Sequence, residues 1–301
     1  MMDTGTSYSD PISSSGIERY VAPRSLDEAA EILRAGNVTI LAGGTDLMPQ
    51  AQDGRVTFRP VLMNIRRIPG MSGIELVGDV VRIGAATTVT ELMDSTLVKK
   101  HFAILWQACD HFGSDQIRNA ATLGGNLCNA SPAGDLLVPL LVLDARVVLA
   151  GMPNGTLETR KVPVAEFFAG PGKTTRAPFE LVVAIELPLP PRRFYSAFYK
   201  LGTRPALDIA GVSIGLGGVR EGKGLRGVRV AFGAVAPTPI RAPRTEAALE
   251  GKPLDASTIE AAAAAAAAEV HPISDVRASA WYRTEMIRNN LRRMLEDARP
   301  R

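Results

Sequence analysis

Val38-Thr39-Ile40-Leu41-Ala42-Gly43-Gly44-Thr45-Asp46-Leu47-Met48 is the stretch on which the fold turns. Its first four residues are apolar or β-branched and read as a short buried strand. The strand runs straight into a glycine pair. Glycine lets a backbone approach a ligand closely and takes positive φ without steric cost. Successive backbone N–H groups in such a turn form an anion-binding concavity suited to a diphosphate, and no lysine is then required. A second segment, Ala121-Thr122-Leu123-Gly124-Gly125-Asn126, repeats the pattern. Two such turns can clamp one dinucleotide from two sides, although each alone is also a common way to build a tight turn. Neither has the spacing of a G-x-G-x-x-G fingerprint, and no full G-x-x-x-x-G-K-[ST] phosphate loop occurs. Asp46 would repel a phosphate, so its side chain is expected to cap nearby backbone N–H groups.

Outward from this stretch the chain alternates helix and strand signals. Ser25-Leu26-Asp27-Glu28 predicts a capping box. Leu26, Ala29, Ala30 and Leu33 follow at helical spacing, and Gly36 stops the helix. Residues 61–65 and 81–85 read as strands. Thr88-Val89-Thr90-Glu91 is a second capping box, and residues 97–111 read as one helix. Asp135 precedes an apolar helical run over 136–143, and strands are expected at 146–150 and 181–187. Pro188, Pro190 and Pro191 mark a domain boundary, because proline cannot continue a central strand. Beyond them, 194–201 and 228–235 read as strands and the alanine-rich 259–270 as a helix. A last helix is expected to carry Trp281, Ile287, Leu291 and Leu295 on one side. Strands and helices mix without regular βαβ alternation, which favours α+β over a doubly wound sheet. The expected organisation is a tail over 1–16, a first domain over 17–189 and a second over 190–301.

Composition bounds the function. The 301 residues are 46% hydrophobic, enough for a sizeable core and two domains. Net charge is +3 and no basic stripe is interleaved with aromatics, which argues against nucleic acid. Cys109 and Cys128 make neither a disulfide framework nor a metal site, and free thiols fit a reducing cytoplasm. Three histidines argue against a His-based metal centre. No apolar run approaches the roughly 18 residues of a membrane span. The serine- and glycine-rich start reads as a frayed tail rather than a signal segment.

Five segments, in order along nearly the whole chain, resemble a known family. Leu41-Ala42-Gly43-Gly44-Thr45-Asp46-Leu47-Met48 is similar to the first FAD loop of the medium, flavin-binding subunits of xanthine dehydrogenase and carbon monoxide dehydrogenase relatives, the molybdenum hydroxylases. Thr122-Leu123-Gly124-Gly125-Asn126, continued by Ala130-Ser131-Pro132-Ala133-Gly134-Asp135, is similar to the second. The stretches Phe168-Ala169-Gly170-Pro171-Gly172-Lys173-Thr174, Lys200-Leu201-Gly202-Thr203-Arg204 with Asp208-Ile209-Ala210, and Asp275-Val276-Arg277-Ala278-Ser279-Ala280 before Tyr282-Arg283 also match.

The resemblance implies a PCMH-type FAD-binding domain of two α+β subdomains, as in vanillyl-alcohol oxidases. A smaller α+β carbon monoxide dehydrogenase flavoprotein C-terminal domain follows. It implies that residues 41–48 and Thr122, Gly124, Gly125 and Asn126 contact the FAD diphosphate and nearby sugar oxygens. Phe112 is then expected to pack on the cofactor, or to be plain core. Asp135 is expected to accept from an adenosine-side hydroxyl, or to cap the helix after it. Val182 falls on a strand offering a backbone contact. Lys200 matches a lysine near the flavin end, or is an edge-strand solvent residue. His111 reads as structural, Cys128 as a small buried side chain, and Arg118 and Asn119 as orienting the second loop or merely solvated.

Two departures are informative. Two cysteines cannot ligate the extra iron–sulfur cluster that some relatives carry. No histidine lies in the first loop to tether flavin, so FAD is expected to be non-covalent. The implied function is electron transfer. Substrate is oxidised at a molybdenum cofactor in a large subunit, electrons pass through iron–sulfur clusters of a small subunit to this FAD, and a soluble acceptor such as NAD, oxygen or a quinone is reduced. The implied assembly is a dimer of heterotrimers. A stand-alone FAD-dependent oxidase and a non-catalytic flavin-binding module are the alternatives.

Overall fold

The computed structural model describes residues 16–204 and 207–299, so the expected tail, apart from Gly16, lies outside the described residues. The chain begins with β1 (Arg19–Val21), α1 (Leu26–Ala35), β2 (Val38–Leu41), α2 (Leu47–Gln52) and β3 (Val61–Asn64). The three strands form a small parallel sheet with β3 in the centre. Helix α1 forms where its sequence puts Ala29, Ala30 and Leu33 on one buried face. Ser25 caps it by accepting from the Glu28 N–H, and Gly36 ends it at φ 82°. The expected capping box is only half made: the Glu28 carboxylate accepts from the Arg24 N–H, one residue before the cap.

Next come β4 (Ile74–Val77), β5 (Val80–Gly84), α3 (Val89–Asp94), α4 (Thr96–His101), α5 (Ala103–Asp110), α6 (Asp115–Arg118), α7 (Leu123–Asn129) and α8 (Leu137–Val142). Strands β6 (Arg146–Gly151), β7 (Glu158–Pro163), β8 (Phe168–Gly170), β9 (Lys173–Thr174) and β10 (Glu180–Pro188) complete this part. Five of the strands form an antiparallel sheet in the order β4-β5-β10-β6-β7. The Thr88–Glu91 capping box is fully made. The single helix expected over 97–111 is two, because Phe102 at φ −128° and ψ 59° breaks it between α4 and α5 and buries its ring completely.

The remainder builds an antiparallel sheet from β11 (Phe194–Leu201), β12 (Val212–Glu221), β13 (Gly224–Gly233) and β14 (Ile240–Arg241). Helices α9 (Pro243–Leu249), α10 (Ala256–Glu269) and α11 (Ala280–Ala298) pack on it. The alanine run is helical, capped by Asp255, whose side chain accepts from the Thr258 N–H. In α11, Ile287, Leu291 and Leu295 are buried, but Trp281 is 73% exposed and does not share their face. It sits in the first turn, about 240° round the helix from Ile287, while Arg283 in the same turn is buried.

Two cores result. The larger joins the first two sheets and helices α1, α3, α4, α5, α7 and α8; the smaller lies between the third sheet and α9 to α11. Helix α8 links them, since its Val138 and Val142 lie where a Cβ at Gly215 would fall, 2.8 Å from each. The glycines of β12 let that helix lie flat on the sheet. Among the described residues no helix is long and apolar enough to cross a membrane.

Candidate functional site

The glycine segment after β2 and the start of α7 meet. A Cβ on Gly43 would overlap the carbonyl of Ala120, so this glycine is required for the approach of the two segments. Gly44 takes φ 72°, the left-handed region that disfavours a side chain. It turns the chain from β2 into α2. Among the described residues, nothing accepts a hydrogen bond from the backbone N–H groups of Gly43, Gly44, Thr45, Asp46 and Leu47. Asp46 does not cap the backbone as expected: its carboxylate is engaged by the Gln50 side chain instead. That contact turns the charge along α2 and leaves the N–H groups free.

The second segment is built differently from the first. It is not a turn but the first turn of α7, with Thr122 as N-cap. From Leu123 to Asn126 its N–H groups are consumed within the chain. Leu123 donates to Thr87 O at 3.0 Å, Gly124 to Ala85 O at 2.8 Å and Gly125 to Thr122 Oγ1 at 3.0 Å. A Cβ at Gly124 would stand 2.7 Å from Ala85 Cβ, so this glycine serves close packing of α7 on the segment after β5. The second segment therefore contributes surface and shape rather than a row of N–H donors.

Between the two segments lies a cavity of about 900 Å³. Ala42, Gly43, Gly44, Thr45, Asp46 and Leu47 form one wall, and Thr122, Gly124, Gly125 and Asn126 another. Phe112, Asp135 and Val182 also line it. Leu41 and Met48 do not: the Leu41 side chain packs beneath Gly44 and Met48 is 47% exposed. Residues not singled out as ligands from the sequence also line the cavity, among them Gln50, Cys128, Asn129, Lys173, Arg176 and Ile209. Cys128 and Asn129 follow Gly125 at helical spacing on α7, so reading that stretch as a helix would have found them. Cys128 is exposed rather than buried in the core; the cavity walls still desolvate its thiol and push it up to about 11.

Lys200 lies elsewhere. Its Nζ donates to Asp135 Oδ2 at 2.7 Å and to His111 O at 3.1 Å, and the two charged side chains are 6% and 12% exposed. Lys200 is thus on an edge strand but not in solvent. It faces a neighbouring cavity of about 540 Å³ while Asp135 lines the larger one. Asp135 is not a helix cap, and its Oδ1 is covered and unpartnered. Burial pushes its carboxyl up to about 6, against the pull of the Lys200 ammonium. Arg118 gathers the loop that carries Phe112: Nη1 donates to the carbonyls of Asp110, Phe112 and Gly113 at 3.3, 3.1 and 3.4 Å. Asn119 accepts from Thr90 Oγ1 at 2.6 Å, and the His111 ring holds Gln107 O at 2.9 Å.

A cavity of this size suits a dinucleotide. The free N–H row on its wall suits the diphosphate, since buried or half-buried donors need partners. The residues present therefore fit FAD.

Comparison with known proteins agrees. Residues 13–190 match the FAD binding domain in molybdopterin dehydrogenase, and residues 197–298 match the CO dehydrogenase flavoprotein C-terminal domain. The xanthine dehydrogenase FAD-binding subunit of Escherichia coli O157:H7 is 33% identical over 261 residues, 86% of this chain and 88% of that one. The carbon monoxide dehydrogenase medium chain of Hydrogenophaga pseudoflava is 32% identical over 281 residues, 93% of this chain and 96% of that one. A solved structure of carbon monoxide dehydrogenase from that organism superposes with a TM-score of 0.87 at 33% identity, covering 92% of this chain and 95% of that one. Quinoline 2-oxidoreductase from Pseudomonas putida 86 gives a TM-score of 0.86 at 27% identity, covering 93% and 96%. With an α+β fold in the same domain order and matches over nearly its whole length, the chain belongs to the family of FAD-binding medium subunits of the molybdenum hydroxylases.

Proposed function

We propose that this chain is the electron-transfer subunit of a multi-subunit molybdenum hydroxylase, holding FAD non-covalently in the cavity between residues 42–47 and 122–126. The observation that carries the reading is the row of five unpartnered backbone N–H groups, Gly43 to Leu47, on the wall of a dinucleotide-sized cavity. Bound FAD supplies a carrier that accepts and releases electrons singly or in pairs. The chain's own work is to bind, orient and enclose. The N–H row solvates the diphosphate through hydrogen bonds. Gln50 donates to the Asp46 carboxylate, which keeps that carboxylate off the N–H row. Arg118 fixes the loop that presents Phe112. The stretch 41–48 contains no histidine that could form a covalent tether.

The domain division at 17–189 and 190–301 is part of the same proposal, as are a large molybdopterin-binding and a small iron–sulfur companion chain, doubled by symmetry. Electrons are to arrive from iron–sulfur clusters of the small chain and leave to a soluble acceptor, in the cytoplasm. The exposed Trp281 and Val276 are consistent with companion chains covering this end. The test is direct. Acid precipitation of the purified assembly should release a yellow supernatant that runs as FAD, and native mass measurement should show both companion chains. A fully folded chain without flavin, flavin that stays in the pellet, or a monomer that turns over substrate alone would each refute the corresponding part.

A further inference from the structure

Arg283 is the most deeply buried charge of the C-terminal part, with its side chain 4% exposed. It lies one turn into α11 and does not line the cavity. Guanidinium groups are rarely buried unless paired, and this one leaves Nε covered without a partner while its two terminal nitrogens hold the surrounding chain. Here Nη1 donates to Gly211 O at 2.9 Å and to Ala234 O at 2.6 Å, and Nη2 donates to Asp275 Oδ1 at 2.7 Å.

Both carbonyls belong to the supports of the cavity wall. Gly211 closes the base of the loop between β11 and β12, its N–H donating to Leu201 O at 2.7 Å. That loop carries Asp208 and Ile209 onto the cavity. The Asp208 carboxylate ties its described residues together by accepting from the N–H groups of Thr203, Arg204 and Ile209. Ala234 stands at φ 62°, a conformation that costs a residue with a side chain. Its N–H donates to Pro132 O at 2.8 Å, inside the segment whose Ser131, Ala133 and Asp135 line the cavity. A single guanidinium thus holds two wall segments from behind.

Asp275 completes the node. It accepts from the N–H groups of Arg277 and Ala278 at 2.8 and 3.2 Å, shaping the loop that leads to the Ser279 cap of α11. Burial opposes its charge, yet these N–H groups and Arg283 hold its carboxyl below the usual range.

We propose that Arg283, neutralised by Asp275, is a positioning residue for the FAD cavity: it sets the 207–211 and 131–135 walls from the C-terminal helix without touching the cofactor. The inference rests on the FAD reading above. Lysine keeps the charge but lacks the planar fork that reaches two carbonyls and a carboxylate together.

The experiment measures FAD affinity of the full chain by flavin fluorescence, well below the melting temperature. It also measures iodide quenching of the bound flavin and the thermal melts of the apo forms. Arg283→Lys and Asp275→Asn should each weaken FAD binding about tenfold and raise quenching while the chain stays folded. Ala234→Gly keeps the carbonyl that Arg283 holds and relieves the left-handed backbone, so its affinity should match wild type. If both substitutions lower only the melting temperature and leave affinity and quenching unchanged, Arg283 is merely structural and the proposal falls. Should Arg283→Lys not fold, the Asp275→Asn affinity and quenching decide alone. A wild-type chain that binds no FAD would instead overturn the functional reading, and this inference with it.

Discussion

Gly43 lies against the carbonyl of Ala120 so closely that no side chain fits between them. This contact, not a shared motif, is what brings the two glycine segments together across the cavity. The second pair makes an equivalent approach, Gly124 standing over Ala85. Gly43→Ala and Gly124→Ala should therefore damage the fold before they damage binding. Overpacking of this kind costs about 1–3 kcal/mol. Thermal melts of the apo variants will show it, and an unchanged melting temperature for both would mean that the segments are free to part.

The Asp135–Lys200 pair predicts a pH dependence. The Asp135 carboxyl is raised to about 6 in the folded chain. A raised acid holds its proton in the native state where the unfolded chain has lost it. Its contribution to stability is therefore full below the unfolded value near 3.8 and is lost as pH rises through the folded value. Between pH 4 and 6, wild type should lose roughly 1–3 kcal/mol relative to Asp135→Asn. Removing the cation with Lys200→Met should raise the carboxyl further and extend the window to higher pH. Melting temperature against pH for the three proteins checks this. A flat difference between wild type and Asp135→Asn would show that the carboxylate is well solvated.

Asp144 links the two cores. It stands at φ 49° just after α8, and its carboxylate meets Arg229 and Arg241, each at 2.8 Å. Both arginines also reach back to carbonyls at the end of α8, Val142 and Leu141, at 3.3 Å. Asp144→Ala loses the pairs and keeps the backbone cost, so about 1–2 kcal/mol should be lost. Asp144→Gly loses the same pairs but relieves the backbone and should be milder. Urea unfolding midpoints rank the two, and the reverse ranking would contradict this view of the linkage.

Much of this was legible in the sequence, and the misses have physical causes. The strand ending at Leu41 and the turn at Gly44 were readable because apolar run and glycine pair stand side by side. The start of α7 was not, because glycine disfavours helix by roughly 1 kcal/mol per residue. Its helical conformation is imposed by Ala85 and Thr87, whose carbonyls take the N–H groups of Gly124 and Leu123. Strand β12 was missed for a related reason: Gly215, Gly217 and Gly218 weaken a strand signal, yet α8 can pack there only because two of them lack side chains. The Lys200–Asp135 pair joins residues 65 apart, which no local pattern shows. Trp281 was grouped with Ile287, Leu291 and Leu295, but six residues separate it from Ile287, about 240° round a helix, so it faces away from them. The node at Arg283 was quoted as part of a motif, while its role became visible only through the two carbonyls it holds.

The capping threonine separates shape from donors. Thr122 Oγ1 occupies the Gly125 N–H. Thr122→Ala should cost about 1 kcal/mol of stability, as for loss of an N-cap. FAD affinity should change little, because this segment offers surface rather than N–H groups. A large affinity loss in folded protein would place the diphosphate against α7 instead.

The most direct measurement is FAD titration of the folded chain, wild type against Gly44→Val and Gly125→Val, with apo melts as the folding control. Gly44 holds φ 72° in the middle of the free N–H row, whereas Gly125 has ordinary φ and its N–H is already engaged. Wild type should bind one FAD that acid releases. Gly44→Val should lose about one to two decades of affinity, the equivalent of roughly 1–3 kcal/mol of backbone strain, and Gly125→Val should lose less. A Gly44→Val chain that binds FAD as tightly as wild type would contradict the claim that the backbone of residues 43–47 holds the cofactor.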